Sequence, residues 1–381
     1  MQAEVSSQSS KSIKILIIEN SLHVTGAFKS SLVLFDILTK NHEIEFVLPI
    51  QSKVKPELEY REIIYHELPM SEIGRSWKKL FRYIPQLGTN TLHLYRLISN
   101  RNIDIVIIND YYNLLGASVK LMGWRGQLFT FVRLLPKSQN KLLNHVWTFI
   151  ALRFSDKVIA VSHSVRNQLP QSKKIEVIYD RFLFNERYPE RPANWEQKDY
   201  VDCLYLANYI AGKGHASAIE AFSLAYDLNR KLRLRFVGSD MELKKNILLK
   251  QTLQQQVNTL GLQKAVSFQD FSNDVEKEIK LSDIVLNFSE SESFSYTCLE
   301  ACAYGRPIIA TRCGGPEEII DDGVSGFLVA IRDIPAMVNA LLTLSGNAVL
   351  RERMGRAGRV IVRKRFSEDK LGASITNLCK F

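Results

Sequence analysis

Two domains of the α/β class, each a parallel sheet wound with helices on both faces, are what this sequence predicts. Three observations carry the prediction. Apolar, β-rich runs alternate with helix-length amphipathic stretches from end to end; the alternation stops once, in a polar stretch, and restarts; and 381 residues exceed what one hydrophobic core organises. A content of 46% hydrophobic and 24% charged residues is that of a folded globular protein.

In the first half the apolar runs place strands at 13–18, 44–48, 103–108, 128–132, 157–161 and 175–178, with helices between them such as 27–40. The second half repeats the pattern, with strands at 202–206, 232–237, 265–268, 284–288, 307–311 and 326–329. Residues 185–198 (NERYPERPANWEQK) are polar, hold two prolines and show no period, as a linker would. The expected division is a first domain over 1–190, a second over 191–365 and a closing segment over 366–381. Two doubly wound domains facing each other would put the carboxyl ends of both sheets around one cleft, where ligands of open α/β sheets bind.

Composition removes several function classes. The N-terminus MQAEVSSQSSKSIK is polar and no later run approaches the roughly 18 apolar residues of a membrane span, so a cytoplasmic location is expected. The five cysteines (Cys203, Cys298, Cys302, Cys313, Cys379) are odd in number and form no CxxC pair, so neither a disulfide framework nor a zinc site is indicated. Cys298 and Cys302, one helical turn apart, read as buried packing residues. The net charge of +10 belongs to the first half: residues 1–195 hold 26 Lys and Arg against 17 Asp and Glu. Such a half attracts an anionic membrane surface or a phosphorylated acceptor; nucleic acid is disfavoured because no binding motif accompanies the charge.

The segment LNFSESESFSYTCLEACAYGRPIIATRCGGPEEIIDDGVSGFLV carries the chemistry. A strand ending near Phe288 runs into a Ser/Glu loop, and a helix begins around Phe294. Ser293 and Ser295 can cap that helix, and the free amides of its first turn, with the dipole's positive end, suit a diphosphate. Glu292 lies at the mouth of the loop and Glu300 eight residues on, about 80° around a helix of 3.6 residues per turn, so both carboxylates can border one cleft. One would hold sugar hydroxyls and the other ribose hydroxyls. The plain alternative is that Glu292 complements the helix dipole and Glu300 is solvated.

That segment resembles the C-terminal signature of the family 4 glycosyltransferases, in which Glu, seven residues, Glu is followed by an Ala/Gly helix, a proline-led strand, a GG turn with Pro-Glu, and DGxxGxLV. Here these read Glu292, Glu300, Ala301, Gly305, Pro307, Gly314, Gly315, Pro316, Glu317, Asp322, Gly323, Gly326, Phe327, Leu328 and Val329. LANYIAGKGHASAIEAFSLAYD resembles the first strand and helix of the family's donor domain, with its Lys-Gly pair at Lys213 and Gly214; RFVGSD, with Gly238, resembles the turn that meets the nucleotide, and AVSFQDF the segment facing the base. The resemblance implies a GT-B fold and a retaining, metal-independent, hexosyltransferase-like enzyme without a cofactor, whose substrate is a nucleotide-diphosphate sugar. Lys213 and Glu292 would be catalytic, Lys213 offsetting charge on the leaving diphosphate and Glu292 orienting the sugar. Donor binding would use Gly26, Asn208, Lys213, Gly238, Glu292, Ser293, Phe294, Ser295 and Glu300, with Glu300 on the ribose.

Two positions depart from the family. Its usual arginine, five residues before the lysine, is Asn208, for which Arg312 or Arg133 would have to compensate, and its histidine after the fourth strand of the first half is Val132. A non-catalytic partner that binds sugar nucleotides is the alternative these raise. In the first half, Thr25-Gly26-Ala27 resembles the family's GGA turn and is equally a plain helix start. His23, His145 and His163 have no partner spacing that marks a base. The stretch 74–98 sets Trp77, Leu80, Phe81 and Ile84 on one stripe beside Arg75, Lys78, Lys79 and Arg82, with an interruption at Pro85; that suits a membrane-surface helix or a core-facing one. A glycan or lipid-linked acceptor and a peripheral membrane contact are the partners expected. Residues 351–371 resemble the family's closing helices, which cross back to brace the first domain.

Overall fold

The computed structural model describes residues 12–70, 77–182 and 198–366, with the side chains of 77–82 left out. The described residues divide into two compact units, one holding those up to Val161 and Val165–Ile178, the other Ser162–Ser164 and those from Tyr179 to Phe366. Most of the expected linker, and the closing segment beyond Phe366, lie outside the described residues.

The first unit runs β1 (Lys14–Ile18), α1 (Gly26–Leu38), β2 (Glu43–Pro49), α2 (Lys55–Tyr60), β3 (Tyr65–Leu68), α3 (Trp77–Arg101), β4 (Ile105–Ile108), α4 (Leu115–Leu121), β5 (Gln127–Val132), α5 (Lys141–Phe154), β6 (Lys157–Ala160), α6 (His163–Arg166) and β7 (Ile175–Val177). All its strands are parallel, in the order β3-β2-β1-β4-β5-β6-β7. β1 is central and covered on both faces: Ile15, Leu16, Ile17 and Ile18 are 0% exposed. Burial on both sides is why it reads as an unbroken apolar run rather than an alternating one.

Two features of this unit differ from expectation. Tyr65–Leu68 is a strand that no apolar run announces, because it is the sheet's edge. Its polar His66 and Glu67 are tolerated there and discourage further pairing. Nor is the helix around Pro85 interrupted: α3 passes through the proline for 25 residues. A proline forfeits one amide hydrogen bond, and beyond it Leu94 and Ile98, at 0% and 1% exposure, anchor the helix in the core.

The second unit runs β8 (Val201–Leu206), α7 (His215–Leu228), β9 (Leu232–Val237), α8 (Lys244–Thr259), β10 (Val266–Gln269), α9 (Val275–Leu281), β11 (Ile284–Asn287), α10 (Tyr296–Ala303), β12 (Ile308–Thr311), α11 (Pro316–Ile319), β13 (Gly326–Val329), α12 (Ile334–Ser345) and α13 (Ala348–Arg365). Its strands are again all parallel, in the order β10-β9-β8-β11-β12-β13. Cys298 and Cys302 are buried on α10 as packing residues. α13 lies close against this region: a Cβ on Gly355 would stand 2.0 Å from the carbonyl oxygen of Gly305, and one on Gly358 3.3 Å from Cys302 Cβ and Sγ.

Both sheets reverse their winding once, the first between β1 and β4, the second between β8 and β11. At such a reversal the connections leave neighbouring strands in opposite directions and open a crevice at the carboxyl ends.

Candidate active site

In the second unit the crevice lies between the loops that follow β8 and β11. Two left-handed glycines shape the first loop, Gly212 (φ 86°) and Gly214 (φ 73°), and Lys213 sits between them. Gly214 caps α7 and also passes so close to the next strand that a Cβ would meet the carbonyl oxygen of Phe288 at 2.0 Å. Only glycine serves both demands. Tyr205, 1% exposed at the end of β8, ties the two loops together: its hydroxyl donates to the carbonyl of Lys213 and accepts the amide of Phe288 at 2.9 Å.

The second loop is turned out of β11 by Asn287, whose Oδ1 accepts the Ser289 amide at 3.1 Å while its Nδ2 donates to Ser295 Oγ at 2.9 Å. Ser295 is the N-cap of α10 and accepts the Cys298 amide at 3.4 Å. The helix begins at Tyr296, two residues later than expected, so Ser293 belongs to the turn and does not cap it. Glu292 is therefore not on the helix, and the 80° relation to Glu300 does not apply. Instead Glu292 is stapled to the loop after β12: its amide donates to Cys313 O at 3.2 Å, and its carbonyl accepts the Gly315 amide at 2.8 Å. Gly315 has to be glycine, since a Cβ would fall 2.4 Å from Phe294 Cα.

These constraints bring the two expected catalytic residues together. Lys213 Nζ and Glu292 Oε1 are 2.7 Å apart, with side chains 31% and 15% exposed. Burial works against the lysine's charge, but the adjacent Glu292 carboxylate outweighs it and holds the Lys213 pKa above its ordinary value. Glu300, at 8% exposure, is buried in α10 rather than solvated. Thr297 Oγ1 donates to the carbonyl of Leu206 at 3.2 Å, which sets the first turn of α10 against the end of β8. A cation and a helix N-terminus thus lie on adjoining loops of one crevice, a combination that suits an anion.

Other expected site residues have structural duties. Gly238 lets the loops after β8 and β9 touch, for a Cβ there would lie 2.0 Å from Ala207 O. Asn208 Oδ1 accepts the Ser239 amide at 3.0 Å in the same contact. The ring of Phe294 is core, 4% exposed, its centroid 5.5 Å from that of Phe366, so only its main chain remains for a ligand. Gly26 is the first residue of α1, capped by Thr25. Arg312 is paired with Asp322 at 2.6 Å. In the first unit, Val132 is 0% exposed at the end of β5, and Arg133 donates to Asn109 Oδ1 at 2.6 Å.

Sequence reasoning missed Tyr205 and Asn287, because a strand-end Tyr and Asn carry no signal until the loops are assembled. It also missed Glu290, whose amide donates to Gly212 O at 2.8 Å and whose Oε1 pairs with Arg332 at 2.6 Å beside the Lys213 loop.

Comparison with known proteins agrees along both halves. The model for glycosyl transferases group 1 matches residues 187–360, and that for glycosyltransferase family 4 matches 37–180. N-acetyl-alpha-D-glucosaminyl L-malate synthase of Bacillus anthracis is 26% identical over 355 residues, 87% of each chain. Among solved structures, Anabaena HepE in complex with UDP and glucose superposes with a TM-score of 0.82 at 20% identity, covering 96% of this chain and 99% of that one. The sucrose-phosphate synthase of Thermosynechococcus elongatus has a TM-score of 0.80 at 18% identity over 96% of this chain and 98% of that one. Two parallel Rossmann-like sheets of this kind are the GT-B architecture, and with family models matching either side of residue 185 the chain belongs to family 4 of the glycosyltransferases.

Proposed function

We propose that the chain is a retaining glycosyltransferase that moves a hexose from a nucleoside diphosphate donor to a hydroxyl, with residues 191–365 holding the donor, 1–190 the acceptor, and 366–381 closing back on the first domain. The observation that carries this reading is the Lys213–Glu292 pair, 2.7 Å apart, beside the N-terminus of α10. Without donor the two groups neutralise each other. A diphosphate seated on the first-turn amides of α10 draws the Lys213 ammonium to its oxygens, and Glu292 is freed to accept hydroxyls of the sugar. Glu300 takes the ribose.

As the bond from the anomeric carbon to the β-phosphate oxygen breaks, negative charge grows on the leaving diphosphate, where Lys213 and the helix amides stabilise it more than they stabilise the bound donor. The acceptor oxygen bonds to the same face of that carbon. Its proton passes to the departing phosphate oxygen, so no histidine is needed at Val132, and the positive charge of Lys213 serves where other transferases use a metal.

UDP-hexoses are the first donors to try, since HepE has been solved with UDP-glucose. The basic first half supports a cytoplasmic enzyme working at the membrane surface on a lipid-linked glycan or cell-surface polysaccharide; no described helix is long and apolar enough to cross a membrane. The test is incubation with a panel of nucleotide sugars, measuring nucleoside diphosphate release with and without a membrane-lipid extract. Release that depends on the extract supports the reading. Thermal stabilisation by a donor, with no turnover on any acceptor, would replace it with the non-catalytic partner that Asn208, in place of an arginine, also permits.

A further inference from the structure

The basic character of the first half is concentrated in one stretch. Residues 111–175 hold ten Lys and Arg and one acid, Asp156. That difference of nine equals the surplus of the whole half, where 26 Lys and Arg stand against 17 Asp and Glu. The single acid is matched, since Asp156 Oδ2 accepts from Lys120 Nζ at 2.9 Å. Glu176, just beyond the stretch, pairs with Lys157.

Helix α5 lies in the middle of this stretch and carries apolar residues on both of its sides. Trp147 and Ala151, 8% and 5% exposed, form the inner side, and the ring of Trp147 packs on that of Tyr111 with centroids 5.7 Å apart. On the opposite side Leu142, Val146 and Phe149, spaced four and three residues, fall in one stripe and are 72%, 41% and 63% exposed. A helix on a protein surface ordinarily turns polar residues outward. Here the outer side is basic where it is polar: Lys141 opens the helix, His145 follows and Arg153 lies in the last turn, with Lys137 just ahead, and all four are exposed. Leu121 and Met122 are exposed at the end of α4, where the Lys120–Asp156 pair ties α4 to the end of α5.

Large apolar groups within a field of one sign match a surface that is anionic at its rim and apolar beneath, which is a bilayer with acidic headgroups. A second copy would bring the same charge and be repelled, and a nucleic acid offers phosphates but no apolar layer for Phe149. We propose that the outer side of α5 docks the first unit on an anionic membrane surface, with Leu142, Val146 and Phe149 entering the headgroup layer and Lys137, Lys141 and Arg153 meeting lipid phosphates. Docking itself requires no transfer; that it carries the chain to a lipid-linked acceptor rests on the function proposed above.

The test is co-sedimentation of the full chain with phosphatidylcholine vesicles and with equimolar phosphatidylcholine–phosphatidylglycerol vesicles, at low and at physiological salt. The chain should bind the anionic vesicles about tenfold or more tightly than the neutral ones, and salt should weaken the binding. Leu142→Ser and Phe149→Ser should each weaken it about tenfold, and Lys141→Gln and Arg153→Gln about fivefold each, with melting points unchanged. The double variant Lys78→Gln/Lys79→Gln on α3, whose sequence also suits a membrane-surface helix, should bind as the unaltered chain does. No binding to either vesicle, equal binding to both, or anionic binding that the folded α5 variants keep in full would overturn the proposal, as would a loss confined to the α3 variant. Vesicle binding by a chain that releases no nucleoside diphosphate from any donor would count against the transferase reading alone. Release on a soluble acceptor, by a chain that never binds vesicles, would count against this inference alone.

Discussion

The two units reverse their sheets in the same way and place their charge differently. In the second unit the reversal point holds an ion pair, Lys213 with Glu292, on loops drawn together by glycines that no other residue can replace. In the first, charge of one sign stands on the outer side of α5 beside exposed apolar side chains. Topology decides where a ligand can sit, but the residues placed there decide what kind. A paired charge fits a step in which charge develops; a field of one sign fits a surface that carries the other.

The largest expected effect tests the paired half of that contrast. Lys213→Ala and Glu292→Gln should each lower kcat by about 10²–10³-fold in a nucleoside diphosphate release assay while the chain stays folded, the range typical of groups that stabilise transition-state charge. Full activity in both would remove the second unit's claim to the chemistry. Next comes loop tension. Gly214→Ala combines a left-handed φ with a 2.0 Å approach to Phe288 O and should cost about 2–4 kcal/mol in urea unfolding. Gly123 in the first unit, also left-handed (φ 93°) but with nothing within 4 Å, should cost only about 1 kcal/mol.

Two buried groups, one in each unit, should also respond oppositely to pH. Burial lifts Asp110, after β4, to a pKa of about 7, so its contribution is greatest below the unfolded value near 3.8 and is lost as pH rises through 7. Burial lowers His215, at the start of α7, to about 4, so its contribution is full above 6.5 and is lost as pH falls towards 4. Melting curves from pH 4 to 8 should show Asp110→Asn stabilised at pH 8, by at most about 4 kcal/mol, and His215→Phe relieved of acid loss, by at most about 3 kcal/mol. The smallest effect on activity is expected of Tyr205→Phe, which breaks the tie between the Lys213 loop and Phe288: a several-fold loss of kcat with the chemistry intact, and about 1–2 kcal/mol of stability.

How much was legible follows from which residues act through local pattern. The central strands could be read because burial on both faces demands runs such as Ile15–Ile18. Tyr65–Leu68 could not, since an edge strand has no such demand. Glu292, Glu300 and Lys213 stood out by their spacing and resemblance, and the structure places Lys213 and Glu292 in contact. Their 2.7 Å separation could not be read, because Glu292 is held by Cys313 and Gly315 rather than by the helix it precedes. Gly238 and Asn208 were read as ligand groups from the resemblance, and the contact they make between the loops after β8 and β9 could not be read from the sequence. The outer side of α5 escaped altogether: KLLNHVWTFIALRF is apolar almost all round, and only the packing of Trp147 and Ala151 decides which side is left bare.

The contact between α13 and the region of α10 has a further consequence. With Gly355 against Gly305 and Gly358 against Cys302, α10, the helix proposed to seat the diphosphate, is backed by a rear wall with little slack. The depth at which Ser295 and Glu300 present themselves is therefore gauged from behind, some sixty residues along the chain from the loop proposed to meet the donor. A methyl group added at Gly355 would touch no substrate, yet it would reset the gauge and retune the site through the backbone alone.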